Sequence, residues 1–187
     1  MGRLIGLAFL IPLIYFTLKV KFKKLINFYF IFALICFQGF IGWYMVSSGL
    51  IDRVDVSHFR LSVHLLIAFL ILSLIFWNYL KTKVKNNFQN TINIIFPLSF
   101  LFLVFLQISI GAFVSGMDAG KIYNSWPLMG NSIFPNDNSV VNLFKLSALS
   151  DPSLVQFIHR KLAYLIGLFY FFLLFYIYRN KKTDLYK

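Results

Sequence analysis

Acid is scarce in this chain of 187 residues, which carries six aspartates and no glutamate. None of them falls inside the long apolar runs. Paired carboxylates at acid–base spacing, a Ser/His/Asp arrangement, a Cys/His zinc cluster and a phosphate-binding loop are all missing, which disfavours hydrolytic and nucleotide-driven chemistry. Cysteine is almost missing too. Cys36 is the single copy, so no internal disulfide can form, and its place in an apolar run reads as a small buried hydrophobe. Histidine is limited to three copies, His58, His64 and His159.

What the chain has in quantity is apolar surface. Fifty-nine per cent of its residues are hydrophobic, 24 are phenylalanine, and the mean hydropathy is +0.77, far above an ordinary soluble domain. Apolar runs at Leu4 to Leu18, Leu25 to Val46, Leu61 to Leu80, Ile92 to Phe113 and Leu154 to Tyr178 contain no acid. A helix needs about 20 residues to cross a hydrocarbon core, so the last four qualify by length and the first is short.

The formal charge of +12 would point to nucleic acid in a soluble protein, but the bases alternate by loop and no reading motif accompanies them. Lys19, Lys21, Lys23, Lys24, Lys81, Lys83, Lys85, Arg179, Lys181, Lys182 and Lys187 lie on one side with only Asp184. Arg3, Arg53, Arg60, Lys121, Lys145, Arg160 and Lys161 lie on the other against Asp52, Asp55, Asp118, Asp137 and Asp151. The positive-inside rule puts the C-terminus inside and residue 1 outside. The N-terminus has a signal-peptide look but no small-residue cleavage site, and the four lysines after it favour a retained helix.

Short motifs recur. Leu-Ile-Gly-Leu stands at Leu4 to Leu7 and at Leu165 to Leu168. Gln38-x-x-Ile41-Gly42 closes the outer end of the second run, and Gln107-x-x-Ile110-Gly111 closes that of the fourth. After each comes an outer loop and then His-x-x-x-Ala, His64 with Ala68 and His159 with Ala163. The pattern fits tandem duplication of a helical module.

His64 and His159 are the candidates for chemistry, because an ionisable side chain within a membrane helix is costly and marks function. Each can present a ring nitrogen to haem iron, or the two can serve as interhelical hydrogen-bonding groups. His58 reads as an outer-loop residue. Arg60 and Arg160 suit haem propionates, or they snorkel to the interface without a ligand. The Gln38/Gly42 and Gln107/Gly111 pairs sit on one helix face at i,i+4 and read as close helix packing. The loop from Gly116 to Asp151 holds Tyr123-Asn124-Ser125-Trp126-Pro127, an aromatic stretch suited to the interfacial belt and to capping a pocket.

Longer stretches are more specific. They are Gly2-Arg3-Leu4-Ile5-Gly6, Gln38 through Val46 with Ser48-Gly49-Leu50, and Val56-Ser57 with Arg60-Leu61-Ser62-Val63-His64-Leu65. Gly111 through Gly120, Asn124 through Met129 and Val155-Gln156-Phe157-Ile158-His159-Arg160 complete the series. In this order they resemble the haem A synthase family, membrane oxidases that convert haem O to haem A for cytochrome oxidase.

The resemblance implies an all-α, polytopic membrane helical bundle, with five transmembrane helices from a tandem-duplicated four-helix-bundle architecture. Residues 1–85 would be part of the N-terminal, substrate-haem half and residues 86–187 part of the C-terminal, haem b half. The chain would be a fragment covering helices two to six of eight, with a Glu-x-x-His-Arg segment expected just before Gly2. His64 would be the catalytic-site ligand on the iron of substrate haem O and His159 the ligand on the iron of haem b, with Arg60 and Arg160 beside the cofactors. The reaction implied is oxidation of the C8 methyl of haem O to a formyl group by successive hydroxylations. Partners implied are the lipid bilayer, haem O, haem O synthase, an electron donor and a second copy in a homo-oligomer, with no nucleic acid. The location implied is a bacterial or mitochondrial inner membrane, with the C-terminus on the cytoplasmic or matrix side. A b-type cytochrome electron carrier and an inert membrane fragment are the alternatives.

Overall fold

The computed structural model describes residues 2–49, 56–83 and 93–179. The expected boundary at 85/86, part of the Ser48-Gly49-Leu50 motif, Asp52, Arg53, Asp55, Lys85 and the charged residues from Lys181 onward lie outside them. Within the described residues there are five α-helices: α1 Gly2–Thr17, α2 Phe22–Gly49, α3 His58–Lys83, α4 Ile95–Gly116 and α5 Pro152–Arg179. Each follows one apolar run, because a backbone in hydrocarbon must satisfy its own polar groups and a helix does so within one segment. Helices α2 and α3 overrun their apolar runs by about a turn at each end, and α5 by one or two residues, taking up polar residues that reach the interface.

Four of the five, α2 to α5, are long and apolar enough to cross a membrane. At 16 residues, α1 is only about 24 Å long. Pro12 lies inside it. Large side chains such as Phe102, Leu168 and Phe171 are two-thirds or more exposed, which suits a lipid solvent as apolar as they are.

The helices fall into two compact units, Met1–Val84 and Lys85–Lys187. In the first, α2 packs against both α1 and α3. In the second, α4 pairs with α5 around a cluster of Ile110, Phe113, Val155 and Leu162.

The connection between α4 and α5 is ordered and irregular, with short 3-10 turns at Ala119–Lys121, Val140–Phe144 and Leu146–Ser150. Gly130 has φ +77, and a Cβ there would stand 2.9 Å from Asn136 Nδ2, so only glycine allows this turn. The loop ends in a helix start signal: Asp151 Oδ1 accepts from Leu154 N at 3.0 Å, and Pro152 occupies the first helical position, where no donor is needed. His58, expected in the outer loop, instead opens α3, with its ring centroid 4.2 Å from that of Phe59. Cys36, expected to be buried, lies on an exposed face of α2.

Candidate functional site

The same clasp is built twice, once in each unit. His64 stands about two turns into α3, beside the outer part of α2. The carboxamide Nε2 of Gln38 donates to the His64 backbone oxygen at 2.9 Å and lies 3.3 Å from His64 Nε2. One turn along the same face of α2, a Cβ at Gly42 would stand 3.0 Å from His64 Cε1. The ring therefore lies across α2 from Gln38 to Gly42, and glycine is what lets it approach. In the second unit, Gln107 Nε2 is 3.3 Å from His159 Nε2 and 3.3 Å from the His159 oxygen. A Cβ at Gly111 would come within 3.1 Å of His159 Cε1. The i,i+4 spacing of glutamine and glycine thus serves an imidazole as well as a helix contact.

His64 Nδ1 and His159 Nδ1 are both buried with no hydrogen-bond partner among the described residues. A buried, unpartnered polar atom costs about 1–3 kcal/mol, and here the cost recurs at equivalent places. Two imidazoles, withdrawn from water and each held by one glutamine, are the donor type that histidine-ligated haem requires. The residues fit such a group. In the first unit, Ile5, Ala8, Phe9, Ile35, Gln38 and Ala68 help to line a chamber of about 440 Å³, apolar except at Gln38.

The two arginines are placed differently. Arg60 has its guanidinium carbon 5.1 Å from the centroid of the Tyr44 ring, a cation–π distance. Arg160 is engaged by the loop: Nη2 donates to Tyr123 O at 2.7 Å, and Nη1 to Ser125 O at 2.9 Å and Leu128 O at 3.3 Å. Gln156 Nε2 also donates to Tyr123 O, at 2.9 Å, and Trp126 Nε1 donates to the Tyr164 hydroxyl at 2.7 Å. The aromatic stretch is thereby tied down over the outer part of α5.

Asp137 is a second anchor. It accepts from Tyr123 Oη at 2.7 Å and from Ser153 Oγ at 2.5 Å. The Ser153 hydroxyl, with help from Tyr123, holds the Asp137 carboxyl below its ordinary range, and the bond to Asp137 pushes the Tyr123 phenol up. Neither this anchor nor the Gln–His contacts were expected from sequence. The repeated Gln-x-x-Ile-Gly motif was the available signal for the clasp, whereas Asp137, Tyr123 and Ser153 are dispersed and carry no motif.

Compared with known proteins, the whole chain, residues 1–187, matches the family model described as cytochrome oxidase assembly protein. It is 51% identical to a heme A synthase of Pelagibacter ubique over 98% of the chain and 55% of that protein. Heme A synthases of Rickettsia bellii (38% identical over 100% of the chain and 57% of the relative) and Rickettsia felis (40% over 86% and 49%) are also similar. The chain spans about half the length of these curated relatives. No solved structure gave a significant match.

Proposed function

Because the chain belongs to the cytochrome oxidase assembly protein family and is an integral, multi-pass membrane protein, we propose that it is part of a haem A synthase. This oxidoreductase would convert the C8 methyl of haem O to a formyl group. Each of two hydroxylations at the methyl carbon would take one oxygen atom from dioxygen, with two electrons from the donor and two protons, and release the other as water; the resulting geminal diol loses water to leave the aldehyde. The observation that carries the reading is the clasp built twice around His64 and His159. It provides one held imidazole in each unit, as a substrate haem and a resident haem require.

His64 binds the iron of substrate haem O, and the apolar chamber beside Gln38 suits the hydrocarbon parts of that molecule. His159 binds the iron of haem b, which supplies one-electron transfer when bound. Arg60, one turn outward from His64 on α3, is placed for a haem carboxylate. Arg160 shapes the outer wall of the second site through the loop it holds, and a propionate there must share its guanidinium with the loop carbonyls. The protein's contribution is ligation, orientation and exclusion of water. Residues 1–85 belong to the substrate half and 86–187 to the haem b half.

The alternation of lysine-rich and mixed loops supports a C-terminus on the cytoplasmic side of a bacterial inner membrane. Haem O, a haem O synthase delivering it and an electron donor are the partners, and a homo-oligomer is the assembly.

The test uses membranes containing a chimaera in which this chain replaces the matching segment of the Pelagibacter ubique relative. His64→Ala is expected to stop formation of haem A while the haem b spectrum persists. His159→Ala is expected to lower haem b content. Unchanged pigment and turnover in both variants would refute the assignment.

A further inference from the structure

We propose that Gln38 and Gln107 are positioning residues that set the tautomer of His64 and His159, keeping the lone pair on Nε2 and the proton on Nδ1. A carboxamide nitrogen can only donate. In both units this nitrogen, not the carboxamide oxygen, must face the histidine, because it also donates to that residue's backbone carbonyl. Turning the amide over would set oxygen against oxygen at 2.9 Å in one unit and 3.3 Å in the other. With the orientation held by the backbone, the second amide proton points at Nε2 at 3.3 Å. An Nε2–H ring would place two donors face to face. The ring therefore accepts at Nε2 and carries its proton at Nδ1.

In both units Nδ1 is buried against the neighbouring helix, 3.7 Å from where a Cβ of Gly42 or Gly111 would stand. The Gly42 position is as near to His64 Nε2, at 3.8 Å, so the carboxamide and not the helix packing is what distinguishes the two ring nitrogens. With the proton on Nδ1, Nε2 is the nitrogen that carries a lone pair for iron. Building on the functional reading above, docking iron then requires only that the glutamine swing aside. No proton has to cross the ring inside the membrane. The recurrence of the arrangement in two separate units is an independent repetition of the observation.

The experiment is nitrogen-15 NMR of the haem-free chain in detergent, labelled at histidine and held about two pH units above the ordinary imidazole pKa of about 6.5. The chain has three histidines, and His58→Asn removes the third signal. The expected result is a pyridine-type Nε2 and a protonated Nδ1 at both His64 and His159. Gln38→Leu should shift the resonances of His64 alone and Gln107→Leu those of His159 alone. Gln107→Glu, whose carboxylate accepts, should draw the proton of His159 to Nε2. A dominant Nε2–H form in the unmutated chain, or tautomers indifferent to the leucine variants, overturns the proposal without any variant having to bind haem. The expected tautomer in a chimaera that binds no haem would overturn the functional reading and leave this one standing.

Discussion

Arg160 offers the sharpest discrimination between a haem contact and a structural clamp. Replacing it with alanine removes three charge-assisted hydrogen bonds to the carbonyls of Tyr123, Ser125 and Leu128. Such bonds contribute about 1.5–3 kcal/mol each when fully enclosed. The site is partly open, so the released carbonyl of Ser125 can turn to water, while Tyr123 keeps its bond from Gln156 and Leu128 its bond from the Ser125 hydroxyl. The net loss is therefore nearer the value of one bond, about 2 kcal/mol. At about 1.4 kcal/mol per tenfold, the open population of the loop should rise about 30-fold. Lys121 and Lys145 are exposed in this loop, and trypsin cleaves there at a rate set by the open population when reclosing is fast. Cleavage in detergent-solubilised Arg160→Ala should accelerate about 30-fold. Arg160→Lys should fall between, since a point charge cannot reach three carbonyls at once. An unchanged cleavage rate accompanied by loss of haem would refute the clamp and assign the guanidinium to the haem.

Gly111→Ala should force the His159 ring back by a few tenths of an ångström from its 3.1 Å approach. The overpacking costs about 1–3 kcal/mol against less than about 1 kcal/mol gained in helix propensity. Haem b retention in the chimaera should fall by about tenfold, and Gly42→Ala should leave it intact; equal retention in the two would show that the ring does not rest on glycine. The Asp137 anchor makes loop protection depend on pH in two directions. Its carboxyl is a stronger acid when folded, so its stabilisation is present above the unfolded value of about 3.9 and lost as pH falls through the lower folded value. The Tyr123 phenol is a weaker acid when folded, so its share is complete below about 10 and lost as pH rises through the raised value. Hydrogen exchange of residues 117–151, normalised for intrinsic rates, should be slowest between these limits. Asp137→Asn should abolish the acid limb, and survival of that limb in the variant would place its origin elsewhere.

The helices were legible because their signal is coarse: an acid-free apolar run has one way to satisfy its backbone in lipid, and each of the five runs became one helix. Helix ends were less legible. His58 looks like a loop residue because it precedes the apolar run, yet the helical backbone extends past that run to meet water. Within the clasp, His64 and His159 stood out as rare polar residues at depth. Gln38 and Gln107 were visible only as parts of a packing motif, since their contact with imidazole depends on the rotation of two helices about their axes. The loop network was opaque for another reason. Arg160 binds backbone oxygens, which every residue possesses, so no partner side chain marks the contact in the sequence.

That last property bears on how the loop can change over evolutionary time or by design. A guanidinium that grips main chain reads the path of the loop and is indifferent to its letters. The residue at 128 can therefore drift, or be exchanged for a reporter side chain, while the clamp persists; Ser125 is less free, because its hydroxyl donates to Leu128 O and accepts from Gly130 N, each at 3.0 Å. Inserting or deleting a single residue between Tyr123 and Leu128 would throw the three carbonyls out of register with one rigid, planar fork. The segment should tolerate rewriting far better than it tolerates a change of length.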